Sequence, residues 1–280
     1  DSNLSRVMKS ESRLATDLVI SPFEASAKDI LEVAKCAEEA GFDGIWMLDH
    51  FSGAVANRRW SHETFTVLGA IAAVTKKINL GSLVANMMNR NPVILASAFS
   101  TLQGLSNGRA TLGLGTGAPT GTMFAAEQEM IGKELETGEK RYRRLIETIQ
   151  LLQKIWSGDR NFSGEFVSFE GLEGVIEPSS NLRIVLGANG SKMINVASQY
   201  ADGVNIRVGP SIDRLLNEAI SLAPNKDFEI SIHESLDLDH PYGGAVENWK
   251  ELGVHRRACT VSAPFDLERI SKIGVRLQEQ

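Results

Sequence analysis

The stretch LSNGRATLGLGTGAPTG, Leu105–Gly121, sets Gly113, Gly115, Gly117 and Gly121 in and just behind a short apolar run. Two architectures ask for so much bare backbone after a strand. In a dinucleotide-binding sheet, a glycine-rich turn opens a helix whose N-terminus takes a pyrophosphate. In a barrel of parallel strands, the same glycines stand at the C-terminal mouth. GLGTGA satisfies the relaxed dinucleotide pattern, with Ala118 in the third glycine slot. That fingerprint belongs in the first βα unit of a chain, whereas here it falls in the fourth, and no helix pattern begins promptly after it.

Working outward, apolar runs alternate with helical periodicity over the whole chain. DLVIS (Asp17–Ser21) is followed by ASAKDILEVAKCAEEAG, with Ile30, Leu31, Val33, Ala34, Ala37 and Ala40 at helical spacing and Gly41 as the stop. GIWML (Gly44–Leu48) leads into the helical HETFTVLGAIAAVTKK, then INLGSLV. The next helix is entered at Pro92, which the first turn tolerates, and closes near Gly108 before RATLGLG. After a long connection come the amphipathic TGEKRYRRLIETIQLLQKIWSG, then LRIVLGA, SKMINVASQYADG, GVNIR, SIDRLLNEAISLA, FEISIHE, AVENWKELG, RACTVSA and FDLERISKIG. Eight strands alternating with helices predict a (β/α)8 TIM barrel rather than a doubly wound sheet. No Pro/Gly/Ser-rich linker divides the chain, so residues 1–280 read as one barrel domain. Two long irregular stretches, Ala118–Glu139 after the fourth strand and Arg160–Asn181 before the fifth, are expected to be loop excursions with a functional purpose.

Composition narrows the function classes. Of 280 residues, 42 % are hydrophobic and 23 % charged, as in an ordinary globular protein, and the net charge of −6 argues against a general nucleic-acid binder. Cys36 and Cys259 sit among apolar neighbours and read as buried thiols, with neither disulfide nor zinc spacing. No run reaches about 18 apolar residues, the length of a membrane span. The opening DSNLSRVMKSESR is polar, without a secretory leader pattern, so the expectation is a cytoplasmic protein without metal.

Three segments in order resemble the luciferase-like flavin and deazaflavin oxidoreductases: AEEAGFDGIWMLDHF (Ala37–Phe51), INLGSLVANMMNRNPVILASAFSTLQGLSNGRATLGLGTG (Ile78–Gly117) and LGANGSKMINVASQYADGVNI (Leu186–Ile206). Within that superfamily the chain looks closest to the branch using the deazaflavin coenzyme F-420, which includes methylenetetrahydromethanopterin reductase and sugar-phosphate and alcohol dehydrogenases. The resemblance implies a hydride transfer between carbon five of the deazaflavin and a small organic substrate. It places the coenzyme across the mouth of the barrel. The third strand would end in a bulge with a non-proline cis peptide at Leu83–Val84, so that Leu83, Val84 and Ala85 back the ring. Gly115, Thr116, Gly117 and Ala118 would flank it, and their missing Cβ atoms would let a flat ligand lie against the main chain.

Each position also carries a reading from the residues alone. His50, closing the second strand, is either an imidazole that orients the substrate and relays its proton or one that only braces a loop. Asp49 alone reads as a helix-cap or loop-bracing carboxylate, whereas the resemblance implies a contact to the coenzyme tail or ring edge. GANGSK offers Gly187, Ala188, Asn189, Gly190 and Ser191 as amide and hydroxyl donors at a helix start, suited to a phosphate; it serves equally as a tight turn. Arg207 is suited to an anion, and Arg90 in NRNP reads as a brace.

Two departures weigh against sugar-phosphate oxidation. The glutamate that follows GTG in that branch is Ala118 here, and the tryptophan expected after Asp-His is replaced by Phe51, Ser52, Gly53 and Ala54. SLDLDHPYGGAVENW is also abrupt where relatives carry a longer excursion. Three alternatives stay open: a flavin mononucleotide (FMN) monooxygenase on the same scaffold, a non-catalytic flavin-binding protein, and a sugar-phosphate barrel without redox cofactor. The partners expected are a small-molecule substrate and no nucleic acid or membrane. A homodimer through the apolar helices Phe65–Val74 and Val93–Leu102 is the further possibility.

Overall fold

The structure, a computed structural model, describes residues 13–241 and 245–277. The opening DSNLSRVMKSES and part of the abrupt SLDLDHPYGGAVENW segment therefore lie outside the described residues.

Eight parallel strands close into a barrel. They are β1 (Ala15–Ile20), β2 (Gly44–Met47), β3 (Asn79–Asn86), β4 (Ala110–Gly115), β7 (Arg183–Ala188), β8 (Gly203–Arg207), β9 (Glu229–Ser235) and β10 (Arg256–Val261). Going round the wall the order is β1-β10-β9-β8-β7-β4-β3-β2. The intervening helices are α1 (Ala27–Ala40), α2 (Thr64–Val74), α3 (Pro92–Leu105), α5 (Gly138–Trp156), α6 (Ser191–Tyr200), α7 (Ile212–Leu222), α8 (Ala245–Glu251) and α9 (Leu267–Leu277). This is the barrel that the alternation predicts. What the sequence reading left as loop contains structure: a 3-10 turn at Met123–Ala125 and α4 (Ala126–Met130) after β4, and a hairpin of β5 (Phe162–Ser163) and β6 (Ser168–Phe169) before β7.

Local chemistry sets the helix ends. Ser26 caps α1 by accepting from the Asp29 amide, and Gly41, at φ 89°, ends it. Asn91 caps α3 ahead of Pro92. After α3, Asn107 and Gly108 both take positive φ, and Arg109 donates to the carbonyls of Ser106, Ile78, Ala72 and Thr75. One guanidinium thus satisfies the orphan carbonyls of two helix ends before β4 starts.

Strand alternation divides the side chains into two sets. Ile20, Met47, Leu112, Leu186, Ile206 and Ile232 face outward into a continuous core shared with the helices. A separate inner cluster holds Val19, Trp46, Leu83 and Ala258, with Leu48 and Val84 packed on it. By the same parity the inner face carries Asp17 and Arg256 low in the barrel, Asn205 and Ser231 at mid-height, and Arg207, His233 and Thr260 near the mouth.

The N-terminal end is closed by charge pairing. Asp17 is fully buried and accepts from Trp46 Nε1 at 2.6 Å and from Arg256 at 2.7 and 2.8 Å. Burial pushes its carboxyl above the usual range, against the pull of Arg256. Glu229 lies 3.3 Å from the same arginine. At the opposite end, His233 Nε2 sits 2.6 Å from Thr260 Oγ1, and burial, with the nearby positive charge of Arg207, pushes its imidazole from the ordinary 6.5 down to about 4.

Two predictions follow from this interior. A Cβ on Gly113 would lie 1.9 Å from the Ser82 carbonyl oxygen, whereas one on Gly69 in α2 meets nothing within 4 Å. Gly113→Ala is expected to cost about 3 kcal/mol or more of unfolding free energy. Gly69→Ala should gain about 0.5–1 kcal/mol, both read by denaturant unfolding. For His233, a depressed folded value means the unfolded chain binds the extra proton between about pH 6.5 and about 4. Stability from this residue is complete above about 6.5 and is lost as pH falls towards 4. Comparing wild type with His233→Gln should show the steeper acid-side loss in the wild type.

Candidate active site at the barrel mouth

The mouth is shaped by the end of β3. Ser82 pairs with Leu112 and Ala85 with Leu114, so Leu83 and Val84 together face the single Gly113 as a bulge. The Leu83–Val84 peptide is cis, as the resemblance implies. This bulge throws the half-buried Val84 side chain inward. A Cβ on Gly115 would come within 2.7 Å of a Val84 methyl, and one on Gly187 within 3.0 Å. The bare backbone of β4 and β7 is therefore filled by the protein's own Val84. The glycines in GLGTG and LGANG make room for the bulge, and their main chain is what remains for a ligand. Gly117 does need its glycine for the turn: its φ is 80°, and a Cβ would lie 2.9 Å from Gln128 Oε1. Gln128 is fully buried, and neither end of its amide has a partner among the described residues.

Other predicted site residues fall at different depths. Leu83 is buried in the inner cluster below the mouth, Ala85 and Ala188 are buried in the barrel wall, and Thr116, Ala118, Gly190 and Ser191 are half-buried at its rim, with Asn189 exposed. Asp49 is committed to the scaffold. Arg90 grips both carboxylate oxygens at 2.6 and 2.8 Å, and the Asn86 amide donates at 2.8 Å. Arg90 also reaches Glu63 at 2.7 Å and lies 4.1 Å above the Phe65 ring. Asp49 thus ties the end of β2 to the end of β3, and Arg90 is the brace that its place in NRNP suggested.

At the start of α6, Gly190 gives no side-chain cap, and the Met193 amide donates to the Gly190 carbonyl at 3.1 Å. The Ser191 hydroxyl, expected as a free donor, is engaged: it donates to Glu218 at 2.7 Å and accepts from Arg214 at 2.9 Å.

His50 follows β2 on the inward parity, two residues above Leu48. Its ring lies between Phe23 and Phe124, each 5.2 Å away centroid to centroid. Its Nδ1 is 3.0 Å from Glu127, a carboxylate with 1 % side-chain exposure. The other Glu127 oxygen accepts the amides of Phe51 and Ser52 at 2.9 and 3.0 Å. A carboxylate at this distance accepts a proton carried on Nδ1, and Nε2 has no partner among the described residues. Sequence reasoning missed Glu127 because α4, a five-residue helix inside an irregular stretch, has too little periodicity to place it. The only pointer was the length of the excursion that carries it.

The two thiols differ: Cys259 is fully buried, with its thiol pushed up to about 12, and Cys36 is half-buried. Among the described residues no group of His, Cys, Asp and Glu could hold a metal, and no helix is long and apolar enough to cross a membrane.

Known proteins resemble this chain in sequence and in fold. The chain is 28% identical over 267 residues to the F-420-dependent glucose-6-phosphate dehydrogenase of Amycolatopsis mediterranei, covering 87% of this chain and 76% of that protein. It is 30% identical over 204 residues to the 5,10-methylenetetrahydromethanopterin reductase of Archaeoglobus fulgidus, covering 72% of this chain and 52% of the reductase. An F-420-dependent secondary alcohol dehydrogenase, solved in complex with an F-420-acetone adduct, superposes with a TM-score of 0.79 at 19% identity, over 95% of this chain and 98% of that one, and so shares the fold. The sequence profile of the luciferase-like monooxygenases matches residues 8–211, and the chain belongs to that family.

Proposed function

We propose that this protein is an oxidoreductase that uses coenzyme F-420 and transfers a hydride between it and a small organic substrate. The observation that carries the reading is the inward bulge at Leu83–Val84, set between the bare main chains of β4 and β7. It gives a flat heterocycle an apolar backing at Val84 and polar main chain at its edges. The uncapped start of α6 supplies amides for a phosphate. When bound, F-420 supplies the hydride donor or acceptor at its ring carbon five.

The chain's own residues do the rest. Val84, Gly115, Thr116, Gly117 and Ala118 position the ring, with Leu83 and Ala85 fixing the bulge from below. The main chain from Gly187 to Ser191 holds the phosphate, and Asp49 acts through Arg90 and Asn86 to keep β2 and β3 in register at the mouth. His50 Nε2 exchanges a proton with a substrate oxygen. Glu127 orients that imidazole and compensates the charge it gains. Phe23 and Phe124 shield it from water. The named activities of the relatives support F-420 over FMN. A homodimer through α2 and α3, where Ile94 is 62 % exposed, belongs to the same proposal and is read by sedimentation.

Equilibrium titration with F-420 and with FMN tests the reading. Saturable F-420 binding is expected, and binding of FMN in its place would overturn it. Activity is followed by the loss or gain of deazaflavin absorbance with secondary alcohols as probes. His50→Ala should keep F-420 affinity within about twofold and lower kcat about 10²–10⁴-fold. Glu127→Gln, which keeps the shape and removes the charge, should lower kcat about 10–100-fold and shift the pH profile of kcat.

A further inference from the structure

Going round the barrel, β8 lies four places from β2, β9 four places from β3, and β10 four places from β4. In an eight-strand ring, four places is the opposite wall. Inward residues of that wall towards the mouth include Arg207, in register with His233, and Thr260, in register with Ser235, the next inward residue of β9 above His233. Arg207, His233 and Thr260 confront, in the same order, His50, Val84 and Gly115. A ring backed by Val84 therefore turns its open face towards this polar wall, and a substrate lies between the two.

The charges on the wall do not balance. Most arginines of the barrel strands are matched: Arg256 to Asp17 and Glu229, and Arg257 to Glu234. Glu234, the carboxylate next to His233, faces outward and is engaged with Arg257. Arg207 is exposed at the mouth, and its guanidinium has no hydrogen bond or ion pair among the described residues. His233 beside it is held neutral and joined to Thr260. The wall thus offers one uncompensated fork of donors next to two neutral polar groups.

We propose that Arg207, flanked by the His233–Thr260 pair, recognises a carboxylate on the substrate and so selects singly charged organic acids that carry the reacting carbon near His50. A guanidinium matches a carboxylate with two parallel hydrogen bonds. A single free cation balances one negative charge, whereas a phosphate dianion would bring a second charge that nothing on this wall offsets. The proposal rests on the F-420 reading for the place of the ring. The coenzyme's own phosphate is the other anion within reach of β8, because the turn after β7 is its neighbour, and the test separates the two.

Butyrate and inorganic phosphate are titrated calorimetrically into wild type, Arg207→Met and Arg207→Lys, each with and without F-420, and F-420 affinity is measured for all three. Wild type should bind butyrate at least about tenfold more tightly than Arg207→Met, the scale of a lost charge-assisted hydrogen bond. Arg207→Lys should fall between them, and F-420 affinity should stay within about twofold. Equal butyrate affinity in wild type and Arg207→Met overturns the proposal, as does the absence of butyrate binding to wild type. Loss of F-420 affinity in Arg207→Met would give the arginine to the coenzyme, and tighter phosphate than butyrate binding would make this a dianion site; either result also overturns it. Failure of wild type to bind F-420 would defeat the functional reading alone, since the butyrate series on the unloaded protein still decides the role of Arg207.

Discussion

The structure of the mouth depends on a packing constraint inside the barrel, the fit of Val84 between strands that lack side chains where it enters. A parallel barrel of this size fills its interior with side chains. Here β3 spends two residues against one of β4, and the displaced Val84 takes the space that Cβ atoms at Gly115 and Gly187 would need. Ser82 fixes the base of the bulge by donating to the Gly113 carbonyl at 2.8 Å, while its own carbonyl presses on Gly113. Glycine at 113, 115 and 187 is thus a requirement of protein packing, and the ledge it creates is what a ligand would meet on the proposed reading.

Electrostatics then give the two ends of the barrel different work. The N-terminal end buries Asp17, Arg256 and Glu229 against one another with Trp46, a matched set whose charges are satisfied internally. At the C-terminal end, two carboxylates are used as anchors: Asp49 holds Arg90, and Glu127 holds His50 and two backbone amides. Both are nearly inaccessible to water, so each partner is strongly oriented. On the wall of β8, β9 and β10, the Arg207 guanidinium has no hydrogen bond or ion pair among the described residues.

The alternation of apolar runs was enough to read the barrel, because strands and helices here keep their separate periods and their stop signals, such as Gly41 and the Asn107–Gly108 turn. The mouth was legible to a smaller extent. His50 and Asp49 stood out by position after β2, yet no pattern in the sequence tells that Asp49 is spent on Arg90. The Leu83–Val84 bulge was carried by resemblance, since Leu and Val are ordinary strand residues and the feature lies in the backbone. Glu127 was invisible because its partner is 77 residues away and its helix is too short to show a period. The small hairpin at 162–169 escaped for the same reason. Ser191 shows the converse: its hydroxyl looked available, and a glutamate from α7 and an arginine beside it engage it.

The excursion after β4 explains how a barrel with an alanine at position 118 still brings a carboxylate to its histidine. In a barrel, each strand end fixes one position at the mouth, and a loop of a few residues supplies side chains only there. The segment between β4 and α5 is long enough to leave the wall, lay Phe124 on one face of the imidazole, and return Glu127 to its edge. Phe23, from the turn after β1, covers the other face. The histidine is therefore held by three elements that converge from β1, β2 and β4, while among the described residues no hydrogen bond or ring contact reaches it from β8, β9 or β10. On the proposed reading, that separation leaves the far wall free to vary with the substrate while the histidine that exchanges the proton stays fixed, which is the condition for one scaffold to serve many reactions.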